Sequence, residues 1–190
     1  SADPEGFKAA QKRLTEARMA HPQTAIYRDY GTAGLAAVCD GFGALPTRNF
    51  SQGHFEGIDE ITGEHLRDVL LERGKPSDPS HACMAGCTIR SSNVFGSPQG
   101  ERIVSPIEYE TIGLVGSNLG IGDLDAIAHL NAEIDDLGQD SIEIGAALGV
   151  AAEAGKMTFG DADSAMRLLA EIRAGSPLGR ILGDGAAATG

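Results

Sequence analysis

Two cysteines in a short loop segment give this sequence its clearest potential for metal chemistry. Cys83 and Cys87 lie within residues 81–91, and loop-forming residues flank that segment. Thiolates this close together can bind one metal ion or one iron–sulfur cluster. The same spacing is typical of two reduced cysteines in a small apolar turn, and the residues alone leave both interpretations open. A zinc site with His81 and Asp78 as further ligands is disfavoured, because the spacing matches no common zinc motif.

Two carboxylates form a second candidate group. Glu108 and Glu110 stand near the start of a helix predicted from Pro106, where the helix dipole favours negative charge. That preference explains the pair without any function. If one of the two side chains instead turns into a dry cavity, burial raises its pKa toward a value suited to acid–base catalysis.

The third candidate group lies where an acidic helix end runs into a glycine. Asp135 precedes Gly138 at the end of a predicted helix, and Asp140 follows it. Carboxylates at a helix C-terminus interact unfavourably with the helix dipole. A conflict between local preference and sequence of this kind is expected at functional sites. Asp135 and Asp140 could accept paired N–H groups of a heterocycle. The alternative is an ordinary solvated helix end.

Helices predominate among the elements predicted around these groups. Helical spacing of apolar residues and capping residues predict helices at 4–20, 32–39, 63–73, 106–114, 123–137, 141–154 and 161–174. Two short strands, 88–95 and 101–104, surround a turn and form the only predicted sheet. Residues 44–50 and 75–80 contain prolines and are predicted to be loops, the second of them exposed. The expected fold is therefore mainly α, a single multi-helix domain over residues 1–190 with one short β-hairpin.

Composition excludes several classes of protein. The net charge of −12 opposes broad binding to nucleic acids or to anionic membranes. No uncharged apolar run approaches the roughly 20 residues of a membrane span, and no signal peptide is recognisable. The odd number of cysteines favours a reducing compartment, so we expect a cytoplasmic protein. The start at Ser1 without methionine and the Gly/Ala-rich residues 183–190 lead us to expect a fragment with a frayed end.

Four motifs follow one another along the chain in a fixed order. They are Tyr30-Gly31-Thr32-Ala33-Gly34, then Leu45-Pro46-Thr47-Arg48-Asn49-Phe50, then the segment from Cys83 to Ser91, then Glu108-Tyr109-Glu110-Thr111 followed by Gly116-Ser117-Asn118 and by Asp135-Asp136-Leu137-Gly138-Gln139-Asp140. This ordered set resembles the tungsten- and molybdenum-dependent aldehyde ferredoxin oxidoreductases. The resemblance extends from Asp3 to Gly185 and concerns the middle, helical domain of that three-domain family.

The resemblance implies roles for particular residues. It implies cluster ligands at Cys83, Cys87 and Ser91, a catalytic carboxylate near the metal at Glu110, and cofactor-contacting or cavity-lining positions at Thr47, Arg48, Asn49, Asp135, Gly138, Gln139 and Asp140. Three features depart from the family pattern. Ser91 stands where the family has a third cysteine, Cys83 and Cys87 are separated by three residues instead of two, and Gln139 replaces a leucine.

The same resemblance implies a function for the complete protein. That function is the oxidation of aldehydes to carboxylic acids, or the reverse reduction, at a tungsten or molybdenum bis-pyranopterin centre, with electrons passing through a [4Fe-4S] cluster to ferredoxin or another carrier. The partners implied are the N- and C-terminal domains that these 190 residues lack and, as in some members, a second copy in a homodimer. The chain alone is expected to be inactive. The alternative, which Ser91 favours, is a catalytically silent helical interaction module derived from the family.

Overall fold

The protein is described by a computed structural model that covers residues 2–190. In this part of the chain the helices are α1 (Pro4–Ala20), α2 (Pro22–Tyr30), α3 (Leu35–Gly41), α4 (Gly63–Arg73), α5 (Tyr109–Thr111), α6 (Leu124–Asp136), α7 (Ser141–Glu153), α8 (Ala162–Ala174), α9 (Pro177–Gly183) and α10 (Ala186–Thr189). The strands are β1 (Asp78–His81), β2 (Ser92–Gly96) and β3 (Arg102–Val104), which form one antiparallel sheet in that order. The prediction of a mainly α fold is confirmed. No helix among residues 2–190 is long and apolar enough to cross a bilayer.

The small sheet corrects two predictions. The exposed loop predicted at 75–80 is wrong in its second half, because β1 begins at Asp78 and pairs with β2, so the sheet has three strands instead of two. The prediction is wrong because it treats Pro79 as a sign of a loop. A proline, which has no N–H group, is tolerated on an edge strand. The strand expected at 88–95 begins at Ser92, since Arg90 has a positive φ of 60° and turns the chain away from extended pairing.

The predicted first helix ends where expected, but a second helix follows at once. His21 ends α1, and its ring nitrogen Nδ1 accepts a hydrogen bond from the Gln23 N–H group at 3.2 Å. Pro22 then occupies the first position of α2, where its missing N–H group costs nothing. The apolar face expected on α1 is uncovered, since Phe7 is 61% and Leu14 58% exposed among the described residues.

The segment around the paired glutamates starts its helix three residues later than predicted. Asn93 accepts a hydrogen bond from the Ile107 N–H group at 3.0 Å and donates one to the Ile107 carbonyl at 2.7 Å. This side chain therefore holds Ile107 outside the helix, and Glu108 before α5 is extended. After α5 the chain continues through a π-helical stretch, Ile112–Gly116, and a 3₁₀ turn.

The core forms where α7 packs between its neighbours, as its alanine and glycine content predicts. A Cβ atom added at Gly145 would lie 2.6 Å from the carbonyl oxygen of Leu114, so the helix backbones are nearly in contact. The C-terminal residues 183–190, expected to be frayed, are instead packed on α7. Glu143 accepts a hydrogen bond from the Ala186 N–H group at 2.7 Å and so fixes the start of α10.

We expect Gly145→Ala to lower the free energy of unfolding by about 1–3 kcal/mol, because its methyl group overlaps the Leu114 carbonyl. Gly41→Ala is the matched control in α3, since an added Cβ there meets no atom within 4 Å. The control should leave stability unchanged or raise it by roughly 0.5–1 kcal/mol. Urea unfolding followed by circular dichroism measures both, and equal effects of the two variants would contradict the close packing of α7.

Candidate active site

A cavity of about 300 Å³ lies where the start of α5, the end of α6 and the start of α7 meet. Its lining residues come from distant parts of the sequence: Pro106, Glu108, Glu110, Thr111, Asn131, Asp135, Asp140, Ser141 and Ile142. Four of them are acidic and none is basic. The cavity therefore presents acceptors to hydrogen-bond donors.

The elements around the cavity fix these carboxylates through helix ends. Asp135 lies in the last turn of α6, and Asp140 caps α7 by accepting a hydrogen bond from the Glu143 N–H group at 3.1 Å. Gly138 makes the turn between the two helices with a φ of 69°. The structure thus brings Glu110, Asp135 and Asp140 to one cavity. Gly138 and Gln139 form its adjoining turn without lining it.

Glu108 and Glu110, which the sequence does not distinguish, differ in burial. Glu108 is half-buried, whereas Glu110 is exposed. The hydroxyl group of Thr32 donates a short hydrogen bond to Oε2 of Glu108, and the Tyr109 N–H group donates to the same hydroxyl at 2.9 Å. Burial raises the pKa of Glu108 and the charge of Glu110 adds to that increase, while the hydrogen bond from Thr32 opposes it. Glu108 is therefore the carboxylate that turns inward.

The opposite wall of the cavity is polar and internally bonded. Partial desolvation raises the pKa of Asp135. The side-chain amide of Asn131 donates to the Pro106 carbonyl at 3.0 Å, and the hydroxyl groups of Thr111 and Ser141 lie 3.1 Å apart. Carboxyl groups whose pKa values are raised toward neutrality can take up and release protons during a reaction. Glu108 and Asp135 are the two carboxyl groups of the cavity with a raised pKa.

Residues Thr47, Arg48 and Asn49 lie apart from this cavity. The Thr47 side chain is fully buried and its hydroxyl group donates to the Leu45 carbonyl at 3.1 Å. Arg48 forms an ion pair with Glu56. Arg48, Asn49 and the following residue all have positive φ values, and the Arg48 and Asn49 N–H groups are bonded to the backbone of residues 117 and 118. Their predicted role in cofactor binding remains a prediction.

The two cysteine thiols of the loop lie against each other. The Arg90 N–H group donates to Sγ of Cys87 at 3.4 Å. This bond is the main reason that the pKa of Cys87 is lowered, while the pKa of Cys83 is raised by its hydrogen bond to Cys87. The two thiols and Thr88 border a surface cavity of about 280 Å³ that Ser91 does not line.

No cluster of three His, Cys, Asp or Glu side chains suited to a metal ion occurs among residues 2–190. Nδ1 of His81 lies 3.9 Å from Oδ2 of Asp78. The thiols of Cys83 and Cys87 with the hydroxyl of Ser91 supply at most three protein ligands, so a four-ligand cluster requires one from elsewhere.

Thr32 is the site residue to which sequence reasoning gave no role. It lies 76 residues before Glu108, so no local periodicity connects the two. The one sequence feature that indicates a role for Thr32 is its position in the segment Tyr30–Gly34, the first of the ordered motifs.

Comparison with known proteins identifies the family of this chain. The family model described as aldehyde ferredoxin oxidoreductase, domains 2 and 3, matches residues 9–189. This chain belongs to the aldehyde ferredoxin oxidoreductase family. Members of the family with similar sequences include the tungsten-containing aldehyde ferredoxin oxidoreductases of Thermococcus kodakarensis and Pyrococcus abyssi, both 38% identical over 125 residues. Those alignments cover 65% of this chain and 19% of each relative.

A more distant relative matches a longer part of the chain. The aliphatic sulfonate oxidoreductase, WOR-like subunit, of Pyrococcus furiosus is 27% identical over 172 residues, which is 84% of this chain and 27% of that protein. The chain spans only about a fifth to a quarter of the length of the curated relatives it matches.

Replacement of Glu108 should change how stability depends on pH. Because its pKa is higher in the folded than in the unfolded state, Glu108 binds its proton more tightly when folded, and its contribution to stability falls as pH rises through the carboxyl range. The difference in unfolding free energy, Glu108→Gln minus wild type, should therefore increase between about pH 4 and pH 7.

Glu56→Gln provides a control of opposite sign. Arg48 lowers the pKa of Glu56, so the stabilisation from Glu56 is present at neutral pH and is lost as pH falls. The difference in unfolding free energy, Glu56→Gln minus wild type, should therefore decrease as pH rises. Urea unfolding over the pH series measures both, and identical slopes for the two variants would contradict the inward position of Glu108.

Proposed function

We propose that the full-length protein containing this chain oxidises aldehydes to carboxylic acids, or catalyses the reverse reduction, at a tungsten or molybdenum bis-pyranopterin centre. Electrons then pass through a [4Fe-4S] cluster to ferredoxin or another carrier. The observation that carries the proposal is the acidic cavity. Glu110, Asp135 and Asp140 belong to separate motifs of the sequence, yet they line one cavity. Within the whole protein, the chain would form the middle domain.

The donor and acceptor groups of the cavity fit a pterin. A reduced pterin presents N–H donors along one edge, and Asp135 and Asp140 are carboxylates that can accept them in pairs. The cavity volume of about 300 Å³ is at the lower end of the range for small-molecule sites. A second wall supplied by another domain would complete it. When bound, the metal–pterin group supplies two-electron redox chemistry.

The chain's own residues supply proton handling at this site. The exposed Glu110 stands at the mouth of the cavity, where its carboxylate can take a proton from reacting groups. Partial burial raises the pKa of Asp135, and its carboxylate oxygens can accept N–H groups of a bound heterocycle. Residues Gly138 and Gln139 hold the turn that separates Asp135 from Asp140. Thr47, Arg48 and Asn49 would approach the cofactor from a different side.

The thiol pair fits two of the protein ligands of an iron–sulfur cluster. Cys83 and Cys87 are in contact, and the N–H group directed at the Cys87 sulfur is of the kind that stabilises cluster thiolates. Ser91 would be a third, oxygen ligand, and the fourth would come from a segment outside this chain. The cluster would carry single electrons out of the site.

The proposed function also requires particular partners and a cellular location. The partners are the N- and C-terminal domains, an electron carrier such as ferredoxin and a second copy of the protein in a homodimer. Nucleic acid and membrane are excluded as partners because the chain carries a net charge of −12 and a neutralising basic face is not indicated by its composition. We place the protein in the cytoplasm, where carriers of low reduction potential operate.

The decisive experiment uses the full-length protein produced anaerobically with tungstate or molybdate. We expect bound tungsten or molybdenum, pterin, and aldehyde-dependent reduction of a viologen dye. Glu110→Gln should lower kcat by about 10²–10⁴ with unchanged metal content, because a proton-transfer group is lost. Glu153→Gln, an exposed position at the end of α7, is the control. Full metal loading without any aldehyde-dependent reduction would refute the proposed reaction.

A separate measurement tests the cluster. Iron and acid-labile sulfide are determined for the full-length protein and for Ser91→Cys after anaerobic reconstitution. We expect about four iron atoms per chain in both. If only the cysteine variant binds iron, Ser91 abolishes the cluster, the redox assignment of this chain fails, and the silent interaction module becomes the better account.

A further inference from the structure

The segment Tyr30–Gly34 connects the two candidate parts of the site. Gly31 has a φ of 60°, and a Cβ atom there would lie 2.5 Å from the carbonyl oxygen of Ser91. The next residue, Thr32, donates its hydroxyl hydrogen to Glu108. One backbone turn thus contacts the cysteine segment with one residue and the acidic cavity with the next.

The hydrogen-bond pattern determines the direction of the Thr32 hydroxyl group. Its oxygen accepts the Tyr109 N–H group at 2.9 Å, so the hydroxyl hydrogen is available for Oε2 of Glu108. Burial raises the pKa of the Tyr109 phenol well above its ordinary value, so the phenol stays neutral. Because Oε2 of Glu108 accepts the Thr32 hydroxyl hydrogen, a proton on Glu108 is held at the other carboxyl oxygen, Oε1.

The charges around Glu108 are all of one sign. Glu110 faces it from the same segment, while Asp135 of α6 and Asp140 of α7 line the same cavity. No lysine, arginine or histidine is among the residues that line it. A carboxylate in such surroundings takes up a proton readily, and the Thr32 hydroxyl limits how firmly that proton is held.

We propose that Thr32 is a positioning residue that holds Glu108 as the temporary proton store of the cavity. The proposal rests on the proposed function. In aldehyde oxidation, RCHO + H₂O → RCOOH + 2H⁺ + 2e⁻, a C–H bond and one O–H bond of water break and a C–O bond forms. The electrons leave singly to the ferredoxin-type carrier. Glu108 holds at Oε1 one of the protons, which Glu110 takes from the reacting groups, and water accepts the other.

The first test measures the Glu108 titration in this chain without any metal. Samples labelled with ¹³C at the glutamate carboxyl group are titrated by NMR as wild type, Thr32→Val and Thr32→Ser. Thr32→Val removes the donor but keeps the shape, so the Glu108 titration should move to higher pH. Thr32→Ser retains the hydroxyl and should restore the wild-type value. Thr158→Val, at an exposed position, is the control for a general effect of the substitution.

The second test uses the loaded full-length enzyme. The acid limb of the pH profile of kcat should move to higher pH in Thr32→Val and return in Thr32→Ser, with metal content unchanged. An unchanged Glu108 titration in Thr32→Val overturns the positioning role, whatever the enzyme does. A shifted titration with an unshifted kcat profile overturns the role of Glu108 as a proton store. Absence of aldehyde oxidation in the wild type refutes the proposed function instead, and the NMR titration still decides independently whether Thr32 controls the pKa of Glu108.

Discussion

The close approach of α7 to the preceding helical segment is the contact on which the site depends. Because Gly145 has no side chain, α7 comes within backbone distance of Leu114. That approach places Ser141 beside Thr111 and so brings the start of α7 to the start of α5. The acidic cavity is the space that remains between these two helix starts and the end of α6. A bulkier residue at this crossing would separate the walls and open the cavity to solvent.

The cavity concentrates carboxylates that a surface would keep apart. Helix ends bring them together, since Asp140 is a helix cap and Asp135 lies in a last helical turn. Asp140 caps α7, and its carboxylate accepts a hydrogen bond from the Glu143 N–H group. Glu108 and Asp135 make no such capping bond, and desolvation raises the pKa of each. The raised pKa values of Glu108 and Asp135 therefore follow from the burial that the surrounding elements impose.

Local signals allowed much of the fold to be predicted. Asp3, Thr62 and Gly138 end or begin helices through bonds to residues a few positions away, and these ends are where the sequence indicates. The errors arise from distant contacts. Pairing with β2 makes a strand of a proline-containing segment, and Asn93 delays the helix expected from Pro106.

The site shows the same division between local and distant effects. Motif order pointed to Glu110, Asp135 and Asp140, which do share a cavity. The inward position of Glu108 depends on burial, and its bond to Thr32 spans 76 residues, so neither follows from spacing. The hydroxyl group of Thr47 is bonded within its own turn, and the place of Thr47 at the cofactor stays a prediction.

The uncovered face of α1 has a consequence for the solubility of the chain. Phe7 and Leu14 expose apolar surface that two copies could bury against each other. At neutral pH the net charge of −12 keeps copies apart through mutual repulsion. As pH falls into the carboxyl range that repulsion disappears while the apolar face stays the same. Colloidal stability of the separate chain therefore depends on the ionisation of its carboxylates.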